Sequence, residues 1–110
     1  MERRYLEWEE NLEDEISGHR RFFVLIIYDI IDDKRRRKLV KVLESFGVRV
    51  QKSAFECVLD RRRYDKLLKL APRCIEPTED SLRIYLLSGK MSVLIWGNDV
   101  QLDNDGPIIL

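Results

Sequence analysis

The longest uninterrupted apolar run in the chain is Phe22 to Tyr28. Val, Ile and aromatic side chains fill it, which fits a strand covered on both faces in the middle of a sheet. Asp29 ends the run and so becomes a carboxylate at a strand terminus. The period then changes: Leu39, Val42, Leu43 and Phe46 fall at i, i+3, i+4 and i+7, predicting an amphipathic helix that Asp32 or Asp33 can cap and Gly47 ends. Val48 to Leu59 is strand-like throughout. Its halves are not separated by a Gly or Asn pair, so a tight hairpin near Lys52 and Ser53 and a bulged strand both fit. Asp60 caps a second helix, with Tyr64, Leu67, Leu68 and Ala71 on one face and Pro72 as its stop. Ser81 to Leu87 alternates Leu82, Ile84 and Leu86 against Arg83, Tyr85 and Leu87, and Ser92 to Trp96 is a further short strand. Ahead of these elements, Tyr5, Trp8, Leu12 and Ile16 recur at spacings of three or four, the stripe of a charged helix over Met1 to Ser17 that Gly18 stops.

The order strand, helix, two strands, helix, strand is that of an α+β, ferredoxin-like βαββαβ domain, which buries one face of an antiparallel sheet under two helices. An extra C-terminal strand and an N-terminal helical extension complete it. The expected organisation is the extension over residues 1–21, the ferredoxin-like domain over 22–98 and a tail over 99–110.

Composition narrows the class. A chain of 110 residues with 45% hydrophobic side chains, 5 Gly and 3 Pro has the material for one core and is neither disordered nor collagen-like. Two cysteines, Cys57 and Cys74, are too few for a disulfide scaffold, and the start from Met1 to Glu15 is acidic where a secretory leader is basic. A cytoplasmic location is therefore expected. No apolar run approaches the ~20 residues of a membrane span, so no membrane partner is expected either.

The formal net charge is +0, yet the charges are segregated. From Lys34 to Arg73 there are 14 basic residues against Glu44, Glu56, Asp60 and Asp65, a local balance of 14 − 4 = +10. Such a middle suits a polyanion, with Lys34, Arg35, Arg36, Arg37 and Lys38 on the first helix and Arg61, Arg62 and Arg63 on the second as phosphate contacts. Two ordinary solvated helix faces would look the same.

Asp29 is the leading candidate for chemistry, because the end of a buried strand holds a carboxylate rigidly beside a basic helix. The plainer reading is a carboxylate capping the following loop. One carboxylate is a poor Mg²⁺ site, but a two-fold axis beside the strand end would bring Asp29 from two chains to one ion, which would then activate a water toward a phosphodiester. Other schemes fail on inventory. His19 is the only histidine and lies in the linker before the first strand, which argues against a Ser-His-Asp triad, a two-histidine ribonuclease and a Cys/His zinc site. Cys57 alternates with Phe55 and Leu59 as a small core residue does, and no Gly-rich phosphate loop occurs. An RNA-recognition domain shares the element order, but Ser53-Ala54-Phe55-Glu56-Cys57 does not match its aromatic third-strand motif.

Tyr28-Asp29-Ile30, the following Asp32-Asp33 and basic helix, Arg49-Val50-Gln51-Lys52-Ser53-Ala54-Phe55-Glu56, and Asp80-Ser81-Leu82-Arg83-Ile84-Tyr85 together resemble the CRISPR-associated protein 2 family over about residues 22 to 98. Ile95-Trp96-Gly97-Asn98 resembles the family's late Ile-x-Gly signal. The resemblance implies a homodimer of ferredoxin-like subunits that joins the CRISPR integrase in acquiring new spacers. It also implies an endonuclease acting on RNA or DNA, with Mg²⁺ between the two Asp29 side chains and Tyr28, Arg36, Arg49, Ser53 and Phe55 in support. Phe55 is as easily core as base-stacking. Lys38 stands where the family often has arginine, keeping the charge and losing the fork. The apolar end Pro107-Ile108-Ile109-Leu110 is expected to add a strand to the partner subunit's sheet. A dimeric scaffold that binds duplex DNA without cutting it, and a related ferredoxin-like ribonuclease toxin, are the alternatives.

Overall fold

The computed structural model describes residues 20–87 and 91–98. Strand β1 (Phe22–Asp29) is the middle of a five-stranded sheet in the order β2-β3-β1-β4-β5, with β2 at Gly47–Gln51, β3 at Ala54–Leu59, β4 at Ser81–Leu86 and β5 at Ser92–Gly97. Every pairing is antiparallel. Helix α1 (Asp33–Glu44) carries the chain from β1 past the place of β3 to β2, and α2 (Arg61–Leu70) carries it from β3 past β1 to β4. This is the split βαβ of a ferredoxin-like α+β fold, with β5 as the extra edge strand. The N-terminal helix and the C-terminal tail strand read from the sequence lie outside the described residues.

Local chemistry sets the boundaries. Asp32, not Asp33, caps α1: its carboxylate accepts the Arg35 N–H at 2.9 Å, and Asp60 accepts the Arg63 N–H at 2.8 Å in the same way. Each such cap stabilises its helix by about 1 kcal/mol relative to alanine. Pro72 stops α2 as expected, and the chain tightens into a 3₁₀ turn over Ala71–Cys74. The segment from Val48 to Leu59 contains both of the features between which the sequence left a choice. A two-residue turn at Lys52 and Ser53 joins β2 to β3, and the register shifts between Arg49 and Gln51. Gly47 does not end α1, whose C-cap is Ser45. It already belongs to β2, where an added Cβ would lie 2.2 Å from the Glu56 carbonyl oxygen.

Both helices cover one face of the sheet. Phe22, Val24, Ile26 and Tyr28 of β1 are buried with Phe55, Cys57 and Leu59 of β3, Leu82, Ile84 and Leu86 of β4, Leu39 and Leu43 of α1, and Tyr64 and Leu67 of α2. Truncating Phe55, which is wholly buried, would cost about 3–5 kcal/mol on the usual scale for aromatic core residues. β1 was expected to be covered on both faces; among the described residues, helices cover one of them. Alternation turns Phe23, Leu25, Ile27 and Asp29 to the side opposite α1 and α2, where Phe23 is 40% and Ile27 37% exposed. Val58, opposite Phe23 in the ladder, is 61% exposed.

Candidate metal and nucleic-acid site

Asp29 is the last residue of β1 and lies opposite Ser81 of β4, on the sheet face opposite α1 and α2. Its side chain is exposed. The chain that leaves it is gripped from two sides. The Arg36 guanidinium donates to the carbonyl oxygens of Ile30 at 3.1 Å and Ile31 at 3.4 Å, while the Ile31 N–H donates to Asp80 Oδ1 at 3.0 Å. Arg36 also pairs with Asp33, holding that carboxyl below the usual carboxylate range. Asp29 is thus a solvent-facing carboxylate on a fixed backbone.

Tyr28, Arg49, Ser53 and Phe55 lie together, but on the other side of the sheet or at its turn. The Tyr28 hydroxyl donates to the Lys52 carbonyl oxygen at 3.2 Å, and Arg49 donates to the same oxygen through Nε at 3.2 Å and Nη2 at 2.7 Å. The Tyr28 N–H donates to the Ser53 carbonyl oxygen at 3.1 Å. Burial pushes the Tyr28 phenol up and Arg49 opposes it, with a net rise that keeps the hydroxyl protonated and donating. Phe55 packs 6.3 Å from the Tyr28 ring, centroid to centroid, and is 0% exposed. Of the two readings left open for it, core is the one the structure has, and stacking on a base is closed. The four residues hold the β2–β3 turn against the end of β1.

The basic residues divide into two groups. Arg35 is not a free phosphate contact: its Nε donates to Asp80 Oδ2 at 2.8 Å and its Nη2 to Glu79 Oε1 at 2.8 Å. Hydrogen bonds to Asp80 and then Glu79 hold its guanidinium well above the ordinary arginine range. Arg63 is likewise occupied, donating to the Ser45 carbonyl at the end of α1 and lying 4.9 Å over the Phe46 ring. Arg61 pairs with Asp65 at 3.3 Å, one turn along α2, a surface contact worth little on its own. Lys34, Arg37, Lys38 and Arg62 are exposed, as are Lys41, Lys66 and Lys69 on the same two helices.

Among the described residues no three His, Cys, Asp or Glu side chains converge on a point. What one chain offers at Asp29 is a single carboxylate, a hard oxygen donor that fits Mg²⁺ provided waters, substrate oxygens or a second carboxylate complete the shell. Thiolate chemistry is closed: Cys57 and Cys74 are both buried, and burial pushes the Cys57 thiol up to about 11. Sequence reasoning missed Asp80 as a partner of Arg35. The contact spans 45 residues, and nothing in the local pattern of either residue signals it.

The model of the family described as CRISPR associated protein Cas2 matches residues 22–93. A protein of Synechocystis named CRISPR-associated endoribonuclease Cas2 3 is 42% identical over 91 residues, covering 81% of this chain and 99% of its own length. A Thermus thermophilus protein named CRISPR-associated endonuclease Cas2 2 is 48% identical over 69 residues, covering 63% of this chain and 77% of its own. Among solved structures, that of the hypothetical protein TT1823 from Thermus thermophilus superposes with a TM-score of 0.59 at 45% identity, covering 63% of this chain and 84% of that one.

Proposed function

The chain belongs to the CRISPR associated protein Cas2 family, and from that premise we propose that it is a metal-dependent endonuclease of the CRISPR system, built as a homodimer with an Asp29 from each subunit at one Mg²⁺. The observation that carries this reading is the position of Asp29, exposed on a fixed backbone at the end of β1, on the sheet face opposite α1 and α2. Leu25, Ile27, Val58 and Val93 share that face with Glu56 and Arg83, and a mixed apolar and charged surface of this kind suits contact between subunits. A second copy laid on it about a two-fold axis near the end of β1 completes the pair of carboxylates.

Bound there, Mg²⁺ would supply Lewis acidity and a water of lowered pKa. The chain's own part is to hold and orient. Asp29 provides the oxygen ligand, Arg36 and Asp80 fix the backbone behind it, and the exposed Lys34, Arg37, Lys38 and Arg62 attract the nucleic-acid backbone. RNA and DNA share the phosphodiester these groups address. Cleavage of labelled RNA and duplex DNA in Mg²⁺, in EDTA and by Asp29→Asn tests the reading: loss of cutting in the last two supports it, and cutting untouched by the substitution removes Asp29 from the chemistry.

The second reading is a scaffold in which the same dimer bridges subunits of the CRISPR integrase during spacer acquisition and binds duplex DNA without cutting it. The single carboxylate per chain and the exposed lysines of α1 and α2 favour it. Metal-independent duplex binding without cleavage would select it. The toxin reading gives way to the family match.

A further inference from the structure

Asp80 is 0% exposed, and its side chain is saturated. Oδ1 accepts the Ile31 N–H at 3.0 Å and Arg35 Nη2 at 3.2 Å, and Oδ2 accepts the Glu76 N–H at 2.8 Å and Arg35 Nε at 2.8 Å. Its backbone is equally engaged: its N–H donates to the Glu76 carbonyl at 2.8 Å, and its carbonyl accepts the Asn98 N–H at 2.9 Å. Gly97, at φ +104°, leaves room for that last approach, since an added Cβ would lie 2.1 Å from the Asp80 carbonyl oxygen. One residue therefore ties the segment after β1, the first turn of α1, the loop before β4 and the end of β5.

We infer that Asp80, anchored by Arg35, is a positioning residue for Asp29, acting through the Ile31 backbone; this rests on the reading of Asp29 as the metal-holding carboxylate. A buried ion pair is a weak device for raw stability, because desolvation offsets most of its attraction. It is a strong device for fixing geometry, since a bidentate guanidinium allows one arrangement of the carboxylate it holds. Of the two acceptor positions Arg35 leaves, one takes the Glu76 N–H and the other the N–H two residues beyond Asp29, and Ser81, next in the chain, pairs with Asp29 itself. Arg36 grips the same segment by its carbonyls. Asp29 is thus set from both polar sides of the peptides that follow it. Ligands misplaced by about 1 Å lose much of their effect, so precision at this point matters more than its contribution to folding.

Asp80→Asn removes one acceptor oxygen and replaces it with a donor facing an N–H. Arg35→Gln keeps the Asp80 carboxylate and releases its anchor, and serves as the second variant if the first does not fold. In the full chain, exchange of the Ile31 amide followed by NMR should quicken about tenfold while the Phe55 amide in β3 keeps its protection. Mn²⁺, used as a probe by its broadening of resonances near Asp29, should bind about tenfold more weakly. For RNA cleavage in Mg²⁺, kcat should fall about tenfold with KM within about twofold, as expected when orientation rather than binding is lost. Unchanged kcat and Mn²⁺ affinity in a variant with a loosened Ile31 amide would overturn the positioning role. So would protection lost evenly across the sheet. Cleavage by the wild-type chain and its loss in Asp29→Asn check the underlying reading separately: if that pair fails while Ile31 and Mn²⁺ respond, the fault lies in the nuclease reading and not in the link from Asp80 to Asp29.

Discussion

Tyr28 and Asp29 are consecutive in the chain and stand on opposite faces of the sheet. The phenol is 2% exposed under the helices, where it donates to the Lys52 carbonyl, and the carboxylate is exposed on the side opposite α1 and α2. Strand alternation makes this unavoidable. The consequence is a division within one short motif: Tyr28, Arg49, Ser53 and Phe55 fix the β2–β3 turn from the helix side, and Asp29 is left facing solvent. Tyr28 cannot touch a phosphate at Asp29 without crossing the sheet.

Acid should weaken the fold partly through Asp80. Burial pushes this carboxyl up, but Arg35 and the N–H groups of Glu76 and Ile31 outweigh burial and hold it below the usual range. The unfolded chain therefore takes up this proton more readily than the folded one. The stability the group contributes is complete above the unfolded value of about 3.9 and is lost as pH falls through the lower folded value. Urea midpoints followed from about pH 5 down to about pH 3 should drop more steeply for the wild-type chain than for Asp80→Asn. Equal slopes would show that Asp80 is not held low.

Gly97→Ala should destabilise the fold by roughly 1–3 kcal/mol, the usual cost of a side chain forced into the left-handed region. The residue sits at φ +104°, and the new Cβ would meet the Asp80 carbonyl oxygen at 2.1 Å. Thermal unfolding measures it, and an unchanged melting temperature would mean that the end of β5 yields freely.

Nucleic-acid affinity should depend on the exposed bases and not on the paired ones. Arg37→Glu and Lys38→Glu should weaken duplex binding and lower the salt slope by about 0.9 for each phosphate contact removed, as counterion release requires. Arg63→Gln, whose guanidinium already holds Ser45 and covers Phe46, should leave that slope unchanged. Fluorescence anisotropy across a salt series reads both. Full affinity in the two charge reversals would make the helices ordinary solvated surfaces.

Much of this was legible in the sequence where the chemistry is local. The caps at Asp32 and Asp60, the Pro72 stop and the order of elements follow from residues within a few positions of each other, and the structure has all of them. What was not legible depends on distant contacts. An apolar run reads the same whether its second face is covered by helices or left open, so the exposure of Phe23 and Ile27 needed the placement of α1 and α2. Arg35 and Arg37 are indistinguishable in a row of basic residues until Asp80 arrives from the far side of the fold and takes one of them. The site's centre, Asp29, was visible as a strand-end carboxylate. The grip on its backbone was not.

The central claim is that two Asp29 side chains, one from each subunit, act together, and subunit mixing tests it most directly. Wild-type chain and Asp29→Asn are combined at constant total concentration, allowed to exchange subunits, and assayed for Mg²⁺-dependent cleavage of labelled RNA. If a competent site needs both carboxylates, activity follows the square of the wild-type fraction and falls to about a quarter when half the chains are mutant, because only symmetric wild-type pairs remain intact. A straight line, with about half the activity at that mixture, would show that each chain acts alone and would contradict the shared site.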